Sequence, residues 1–285
     1  MAEPFNCLYD KQILDRHCAS LHPNKKRLLM SNYTYIQFTV EDGIGHLHLN
    51  RPEKKNAIND ELCLEIEQVF ITMPEDVRVV IFSGAGPEFC SGLDLAEHKA
   101  RQGLDVVKHS NMWHRTFGHI QNSGLPVIAA MQGAVIGGGL ELATCAHVRV
   151  SEKGTYYRLP EGRHGIFVGG GASRNVARVI GAGRMTEMML TGRDVDAEEG
   201  YRLGLSHYVV ENGQSLEKAK ELAAHIATNS PYSNWAMTTG LRHIDSMSHD
   251  DGMYTESLLC GITQTHPDVV ARLEKFLNRK KQPQQ

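Results

Sequence analysis

The order of strand-like and helix-like segments constrains the fold of this chain more than any other feature of its sequence. Up to about residue 210 the two kinds of segment alternate, and from Ser215 onward the pattern is helical alone. Strands that alternate with helices are typical of a parallel sheet covered by helices. The sequence therefore predicts an α/β core, followed by a helical region that caps the core or packs on a neighbouring chain.

Residue periodicity, turn residues and cap residues give the individual elements. Apolar residues alternate over 35–40 and 44–50, and the Glu-Asp-Gly turn between these segments predicts a hairpin. Asn59 is placed to cap a helix over about 60–73. Further strands are predicted over 77–84, 125–133, 147–152 and 206–210, and further helices over 104–122, 139–146 and 196–205. The segment from Tyr157 onward is predicted as a long loop that leads into a helix.

Charge and metal-ligand content exclude some classes of function. The formal net charge of −3 gives no basic surface of the kind that nucleic-acid binding requires. The six cysteines include no Cys-x-x-Cys pair, which favours a reduced intracellular protein. The fifteen histidines include no His-Glu-x-x-His motif. The sequence therefore predicts no metal site and no nucleic-acid partner.

Targeting signals and membrane spans are also not predicted. No uninterrupted apolar run reaches the ~18 residues of a membrane span, and acidic residues such as Glu3 and Asp10 argue against a signal or transit peptide. A cytoplasmic location without membrane contact is expected. We expect three regions: residues 1–29 as an N-terminal extension, 30–210 as the core and 211–285 as the helical C-terminal region.

The stretch QGAVIGGGLEL, residues 132–142, places three glycines directly before a predicted helix. Such glycines often cradle a phosphate, but Leu140 and Glu141 stand where a phosphate loop requires Lys and Ser or Thr. The glycines are also contiguous and lie mid-chain, unlike a dinucleotide-binding fingerprint. Glycines permit close backbone approach, and a helix N-terminus presents unpaired N–H groups. The pattern therefore suits a negative charge that develops during a reaction, such as that on an enolate oxygen.

Five motifs occur in a fixed order along the chain and together resemble the enoyl-CoA hydratase/isomerase (crotonase) family. The similarity covers about residues 33–280. The motifs are NRPEKKNAI (50–58), SGAGPEFCSGLDL (83–95), PVIAAMQGAVIGGGLELATCAHVRV (126–150), LPEGRHGIFVGGGASR (159–174) and MTEMMLTGRDVDAEEGYRLGL (185–205). The resemblance implies a spiral of ββα units with a helical C-terminal region that assembles trimers, which commonly pair into hexamers.

The resemblance also implies roles for particular residues. The backbone N–H groups of Ser91 and Gly138 would form the oxyanion hole around a thioester oxygen. Glu141 and Glu161 would be the two acid–base groups, as in the two-glutamate enoyl-CoA hydratases, and the Gly169 backbone would support the site. Coenzyme A would be part of the substrate rather than a resident cofactor. It would contact residues in four parts of the chain: Lys54, Lys55, Ser91, Gly92, Leu93, Asp94, Gly138 and a basic residue among Lys275, Arg279 and Lys280.

The implied activity is hydration of a 2-enoyl-CoA, with one glutamate acting on the water and the other on the α-carbon. An isomerase, a C–C lyase or a thioester hydrolase on the same scaffold is the alternative. A binding protein that has lost its chemistry is a further alternative, against which the intact pair of Glu141 and Glu161 argues. Arg163 and His164 depart from the apolar residues of many relatives, and the hypothesis is that one of them faces the acyl pocket and favours a polar acyl group.

Overall fold

The computed structural model describes residues 27–28, 33–98 and 101–279. The predicted N-terminal extension, residues 1–29, lies outside the described residues except at its end. There, Arg27–Leu28 forms a short strand, β1, that pairs antiparallel with the first strand of the predicted hairpin. Lys280 also lies outside the described residues.

A mixed sheet of seven strands forms the core, with the order β1-β2-β3-β4-β5-β7-β10. Strands β2 and β3 form the predicted antiparallel hairpin, and β3, β4, β5, β7 and β10 run parallel to one another. The prediction of an α/β core with parallel strands is therefore confirmed. The bounds of these strands are β2 Ile36–Glu41, β3 Ile44–Leu49, β4 Val79–Gly84, β5 Val127–Met131, β7 Val148–Glu152 and β10 Tyr208–Val210.

A second sheet of three short strands was not predicted. It consists of β6 (Ala134–Ile136), β8 (Tyr156–Arg158) and β9 (Val195–Asp196), in the order β6-β8-β9. The prediction of a loop from Tyr157 onward is wrong at its start, because Tyr157 pairs with Val135 on one side and with Val195 on the other. Strands of two or three residues are too short to show alternation, so only pairing in the folded chain reveals them.

Thirteen α-helices within the described residues cover and extend the two sheets. Asn59 caps α1 as predicted, since its side chain accepts a hydrogen bond from the Leu62 N–H at 3.0 Å. The long helix α3 has the bounds predicted for it. The helices are α1 Asp60–Ile71, α2 Leu95–His98, α3 Leu104–Asn122, α4 Gly138–Ala143, α5 Glu161–His164, α6 Ala172–Ile180, α7 Ala182–Thr191, α8 Ala197–Arg202, α9 Ser215–Ala227, α10 Pro231–Trp235, α11 Leu241–Ile244, α12 His249–Thr265 and α13 Pro267–Arg279.

Apolar side chains form two buried clusters. The smaller cluster joins α9, through Ala219 and Ala223, to strand residues that include Val79 and Ile128. The larger cluster contains the apolar sides of α1 and α3 and includes Trp113. Strands that are buried along their whole length, as β4 and β5 are, require apolar residues on both faces. The larger cluster, through Trp113, brings α3 against the glycine turn at the start of α4.

The C-terminal helices expose many apolar side chains. Those on α12 and α13 with two-fifths or more of their surface exposed include Met253, Tyr254, Leu258, Ile262, Leu273, Phe276 and Leu277. No helix within 27–28, 33–98 and 101–279 is both long and apolar enough to span a membrane.

A buried arginine ties β7 to the chain that follows α8, and a histidine beside β7 ties it to β5. The Arg149 guanidinium donates to the carbonyl oxygens of Ala146 and Leu205, both at 2.8 Å. His147 accepts a hydrogen bond at Nδ1 from the Val127 N–H. Burial, together with the nearby charge of Arg149, lowers the pKa of His147 to about 4. His147 is therefore neutral in the folded chain at neutral pH.

This pKa predicts a loss of stability in acid. Between the pKa of an unfolded histidine, about 6.5, and the folded value of about 4, the unfolded chain binds the extra proton. The free energy of unfolding should therefore fall as pH decreases through this window, by up to about 3 kcal/mol. The variant His147→Asn keeps an acceptor for the Val127 N–H and should flatten this fall, as measured by urea unfolding at a series of pH values. The exposed His225→Asn is the control, and an unchanged slope in His147→Asn contradicts the prediction.

Candidate active site

The three glycines at the start of α4, Gly137 to Gly139, are each required for a different reason. Gly137 adopts a φ of +48°, in the left-handed region that favours glycine. A Cβ atom on Gly138 would lie 2.6 Å from the ring of Trp113, and one on Gly139 would overlap the carbonyl oxygen of Cys90. The turn is thus packed tightly between α3 and the strand-like segment around Cys90. This packing determines where the N–H groups at the start of α4 point.

The structure corrects one of the two predicted oxyanion-hole donors. The Ser91 N–H donates a hydrogen bond to the carbonyl oxygen of Lys55 at 3.0 Å. Its hydroxyl donates to the carbonyl oxygen of Lys54 at 3.3 Å. An N–H group that is already bonded within the fold is not free to bind a substrate oxygen. Ser91 therefore holds the loop in place.

The N–H group of Leu93 lies beside that of Gly138 instead. A Cβ atom on Gly138 would lie 3.3 Å from the Leu93 nitrogen, and one on Gly92 would lie 3.1 Å from the Gly138 nitrogen. Neither N–H group has an acceptor among the residues that the structure describes. Gly92, at a φ of +96°, makes the turn that places Leu93 there. The two N–H groups form a pair of donors next to a cavity of about 460 Å³, which both residues line.

Glu141 enters this cavity from the first turn of α4. Its side chain is almost fully buried, and its Oε1 accepts hydrogen bonds from the N–H groups of Gly170 at 2.9 Å and Ala172 at 3.0 Å. Burial raises the pKa of Glu141, whereas these two N–H groups act in the opposite direction. Both donors precede or begin α6, so the carboxyl of Glu141 is held against the N-terminus of that helix.

Glu161, the first residue of α5, approaches the same cavity from the other side. A Cβ atom on Gly137 would lie 3.2 Å from its Oε1, which places the carboxyl against the glycine turn. Its buried Oε2 has no hydrogen-bond partner within the described part of the chain. Burial raises the pKa of Glu161 to about 7, its own N–H lowers it, and the charge of Glu141 raises it further.

The two carboxyls therefore differ in their hydrogen bonding. Among the described residues, two N–H groups donate to Glu141 and stabilise its carboxylate, whereas the buried Oε2 of Glu161 has no partner and would be stabilised by a proton. Two nearby buried carboxyls do not both ionise readily. Such a pair can supply one base and one acid to the same cavity.

Apolar side chains form most of the remaining cavity wall. They come from α3 and from the segment between α5 and α6, and include Val106, Val107, Trp113, Ile166, Phe167 and Val168. The Trp113 ring is held in place by a hydrogen bond from its Nε1 to His109 Nε2 at 3.1 Å and by edge contact with Phe117.

The structure does not bring Arg163 and His164 into the cavity. The Arg163 guanidinium donates to the carbonyl oxygen of Thr191, at the end of α7, at 2.9 and 3.2 Å. Neither residue is among those that line the cavity, where Ile166 and Phe167 lie instead. The hypothesis that one of them selects a polar acyl group therefore loses its structural basis.

The remaining predicted contacts divide into buried and exposed residues. Asp94 is buried and pairs with Arg51 at 3.1 Å, so its carboxylate stabilises the loop. Lys54 and Lys55 are exposed in the turn that accepts the hydrogen bonds of Ser91. Within the described ranges, no group of three or more His, Cys, Asp or Glu side chains could hold a metal ion.

The sequence placed Leu93 among the coenzyme A contacts but not among the oxyanion donors, and it did not identify Trp113 and Gly170 as parts of the site. Leu93 is two residues from the predicted Ser91, in the same motif, and the direction of an N–H group cannot be read from residue types. Trp113 lies on a helix with no motif of its own, where its apolar character indicates only a core position. Of the three, Gly170 had a sequence pattern that could have identified it, because it lies in the second run of three glycines.

Comparison with known proteins gives a consistent result. A model of the enoyl-CoA hydratase/isomerase family matches residues 39–285. The Arabidopsis thaliana protein named "Probable enoyl-CoA hydratase 2, mitochondrial" is 34% identical over 194 residues, which are 67% of this chain and 64% of that protein. The mitochondrial Delta(3,5)-Delta(2,4)-dienoyl-CoA isomerase of Dictyostelium discoideum is 27% identical over 252 residues, which are 83% of this chain and 86% of the isomerase.

Solved structures agree with this assignment. The crystal structure of a provisionally named enoyl-CoA hydratase from Rhodopseudomonas palustris is 40% identical, with a TM-score of 0.84 over 92% of this chain and 98% of that one. The relatives include both hydratases and an isomerase. The comparison therefore establishes the family but does not distinguish between these two reactions. The chain belongs to the enoyl-CoA hydratase/isomerase family and has the crotonase fold.

Proposed function

We propose that this protein is an enoyl-CoA hydratase, which adds water across the double bond of a 2-enoyl-CoA thioester. The observation that carries the proposal is the pair of buried carboxyls, Glu141 and Glu161, that face one cavity with unlike hydrogen bonding. Addition of water needs a base for the water and an acid for the α-carbon. The pair supplies both.

The two free N–H groups would bind the thioester oxygen. Leu93 and Gly138 present adjacent donors at the cavity wall, in the place where the sequence predicted Ser91 and Gly138. When the water attacks the β-carbon, negative charge passes to the thioester oxygen as an enolate. Donors that are already in position stabilise such a charge without reorganisation, and each is worth roughly 10²–10³ in rate.

The carboxyls would then divide the proton transfers between them. Ionised Glu141 accepts a proton from the water as the oxygen attacks the β-carbon, and protonated Glu161 delivers its proton to the α-carbon. The result is a 3-hydroxyacyl-CoA and a pair of carboxyls that still holds one proton in total. Because the two groups are coupled, the apparent pKa values of the reaction belong to the pair.

Other reactions of the family remain the alternative proposal. Isomerisation, C–C cleavage and thioester hydrolysis would use the same oxyanion donors with a different set of acids. One relative is named as a dienoyl-CoA isomerase, which supports isomerisation among these alternatives. The presence of two carboxyls in one cavity favours hydration, since both have a step to perform in it. A binding protein without chemistry would not need an acid and a base in one buried cavity.

Coenzyme A contacts, assembly and location complete the proposal. We expect Lys54, Lys55 and Lys275 to interact with the nucleotide of the substrate, since all three side chains are exposed.

The exposed apolar side chains of α12 and α13 support assembly into trimers or hexamers, because unpartnered apolar faces of this extent are typical of subunit interfaces. The cytoplasmic location stays a prediction, and the two relatives named above are described as mitochondrial.

The first prediction from the proposed function concerns the product of the reaction with 2-enoyl-CoA substrates. With crotonyl-CoA and a panel of longer, branched and aromatic 2-enoyl-CoAs, we expect loss of the conjugated absorbance and formation of the 3-hydroxyacyl-CoA. Glu141→Gln and Glu161→Gln should each lower kcat by roughly 10²- to 10⁴-fold while binding of the CoA ester survives. Glu67→Gln, which changes a buried glutamate outside the cavity, is the matched control. If no enoyl-CoA in the panel is hydrated and no 3-hydroxyacyl-CoA is dehydrated, the hydratase proposal is wrong.

The second prediction concerns pH. Since burial raises the pKa of Glu161 to about 7 and the reaction needs this group protonated, kcat/KM for hydration should decline above about pH 7. It should also decline in acid, where Glu141 becomes protonated, and thus give a bell-shaped profile. A profile that stays flat to about pH 9 would contradict the assignment of Glu161 as the acid.

The third prediction concerns the oxyanion donors. In Gly138→Ala the new Cβ would lie 2.6 Å from Trp113 and 3.3 Å from the Leu93 nitrogen, so the donors must move apart. We expect kcat to fall by roughly 10²- to 10³-fold. Gly183→Ala, where a Cβ meets nothing within 4 Å, should leave kcat unchanged. Ser91→Ala should also retain activity. Full activity in Gly138→Ala would refute the proposed hole.

A further inference from the structure

Ser110 makes a hydrogen bond that links α3 to the segment before α6. Its hydroxyl donates to the carbonyl oxygen of Gly169 at 2.6 Å, and the side chain lies at the wall of the catalytic cavity. Ser110 belongs to none of the five motifs on which the family resemblance rests.

The acceptor of this bond belongs to the same peptide group that binds Glu141. The carbonyl of Gly169 and the N–H of Gly170 are the two ends of one planar peptide unit. The carbonyl end accepts from Ser110, and the N–H end donates to Glu141 Oε1 at 2.9 Å. Ser110 and Glu141 are therefore connected through a single rigid group.

This peptide has no side chain of its own to hold it. A Cβ atom on Gly170 would lie 2.6 Å from Glu141 Oε2 and 2.7 Å from the Trp113 ring, so this position requires glycine. Gly171 follows at a φ of +107°, which also favours glycine. Consecutive glycines leave the backbone free to rotate, and the orientation of the peptide then depends on its hydrogen bonds.

We propose that Ser110 is a positioning residue for Glu141. By donating to one end of the peptide, it fixes the direction of the Gly170 N–H and strengthens that group as a donor, because linked hydrogen bonds polarise one another. A stronger donor stabilises the ionised form of Glu141, which is the form that accepts a proton from water. The inference rests on the proposed function in this one respect, that Glu141 acts as the base.

The contact also predicts which kinetic constant changes when the Ser110 hydroxyl is removed. Ser110 acts on the carboxylate through the backbone, so its loss should lower kcat and leave KM for the enoyl-CoA almost unchanged. A residue that only shaped the acyl part of the cavity would instead change KM and the preference for chain length.

The experiment compares Ser110→Ala with Ser110→Thr, which keeps the hydroxyl. We expect Ser110→Ala to lower kcat about tenfold with KM changed less than about twofold, and to move the acidic limb of the pH profile to higher pH. Ser110→Thr should restore kcat and the profile. Thr116→Val removes a buried hydroxyl from the same helix without touching the cavity and should change neither. Ser110→Cys, with a weak donor of similar size, replaces the alanine variant if that variant folds poorly.

The outcomes separate this inference from the proposed function. If wild-type protein hydrates enoyl-CoA but Ser110→Ala keeps kcat and the acidic limb, or changes KM alone, the positioning role is wrong. If the wild type hydrates nothing, a ¹³C titration of the Glu141 carboxyl, assigned with Glu141→Gln, still decides the matter. A higher pKa of Glu141 in Ser110→Ala than in the wild type supports the role, and an equal pKa refutes it.

Discussion

The close packing of the glycine turn 137–139 against Trp113 is the contact on which the site depends. Without side chains on these glycines, α4 begins within van der Waals distance of α3 and of the loop that carries Leu93. This approach brings together two N–H groups that have no acceptor within the described chain, and it directs Glu141 into the cavity between them and α6. A single added methyl group at Gly138 would therefore disturb the donors and the carboxylate at once.

The two acids of the site differ in the hydrogen bonds that they receive from the backbone. Glu141 and Glu161 are both buried, and burial alone would raise the pKa of each carboxyl. Two N–H groups at the start of α6 stabilise the charge of Glu141, while Glu161 receives no comparable pair from the described residues. Under the proposed function this difference would separate the base from the acid, and the inferred role of Ser110 adds one more link to that arrangement.

Much of the scaffold follows from local signals in the sequence. The hairpin of β2 and β3, the Asn59 cap of α1 and the whole of α3 were predictable, because alternation, cap chemistry and helical periodicity act over a few neighbouring residues. The second sheet was not, since β6, β8 and β9 are two or three residues long and exist only through their pairing. The place of Arg163 was also beyond prediction, because its partner carbonyl belongs to Thr191, 28 residues away.

The sequence by itself determined the family, the parallel core, the need for a glycine turn and the two glutamates that enter the site. Tertiary structure decided which N–H groups are free, since Ser91 bonds to Lys55 while Leu93, two residues later, does not bond within the described chain. It also decided which carboxyl is stabilised as an anion and brought Trp113 and Ser110 to the cavity. The physical reason is that residue types specify which groups can donate or accept, whereas the direction of each group is set by contacts between segments far apart in the chain.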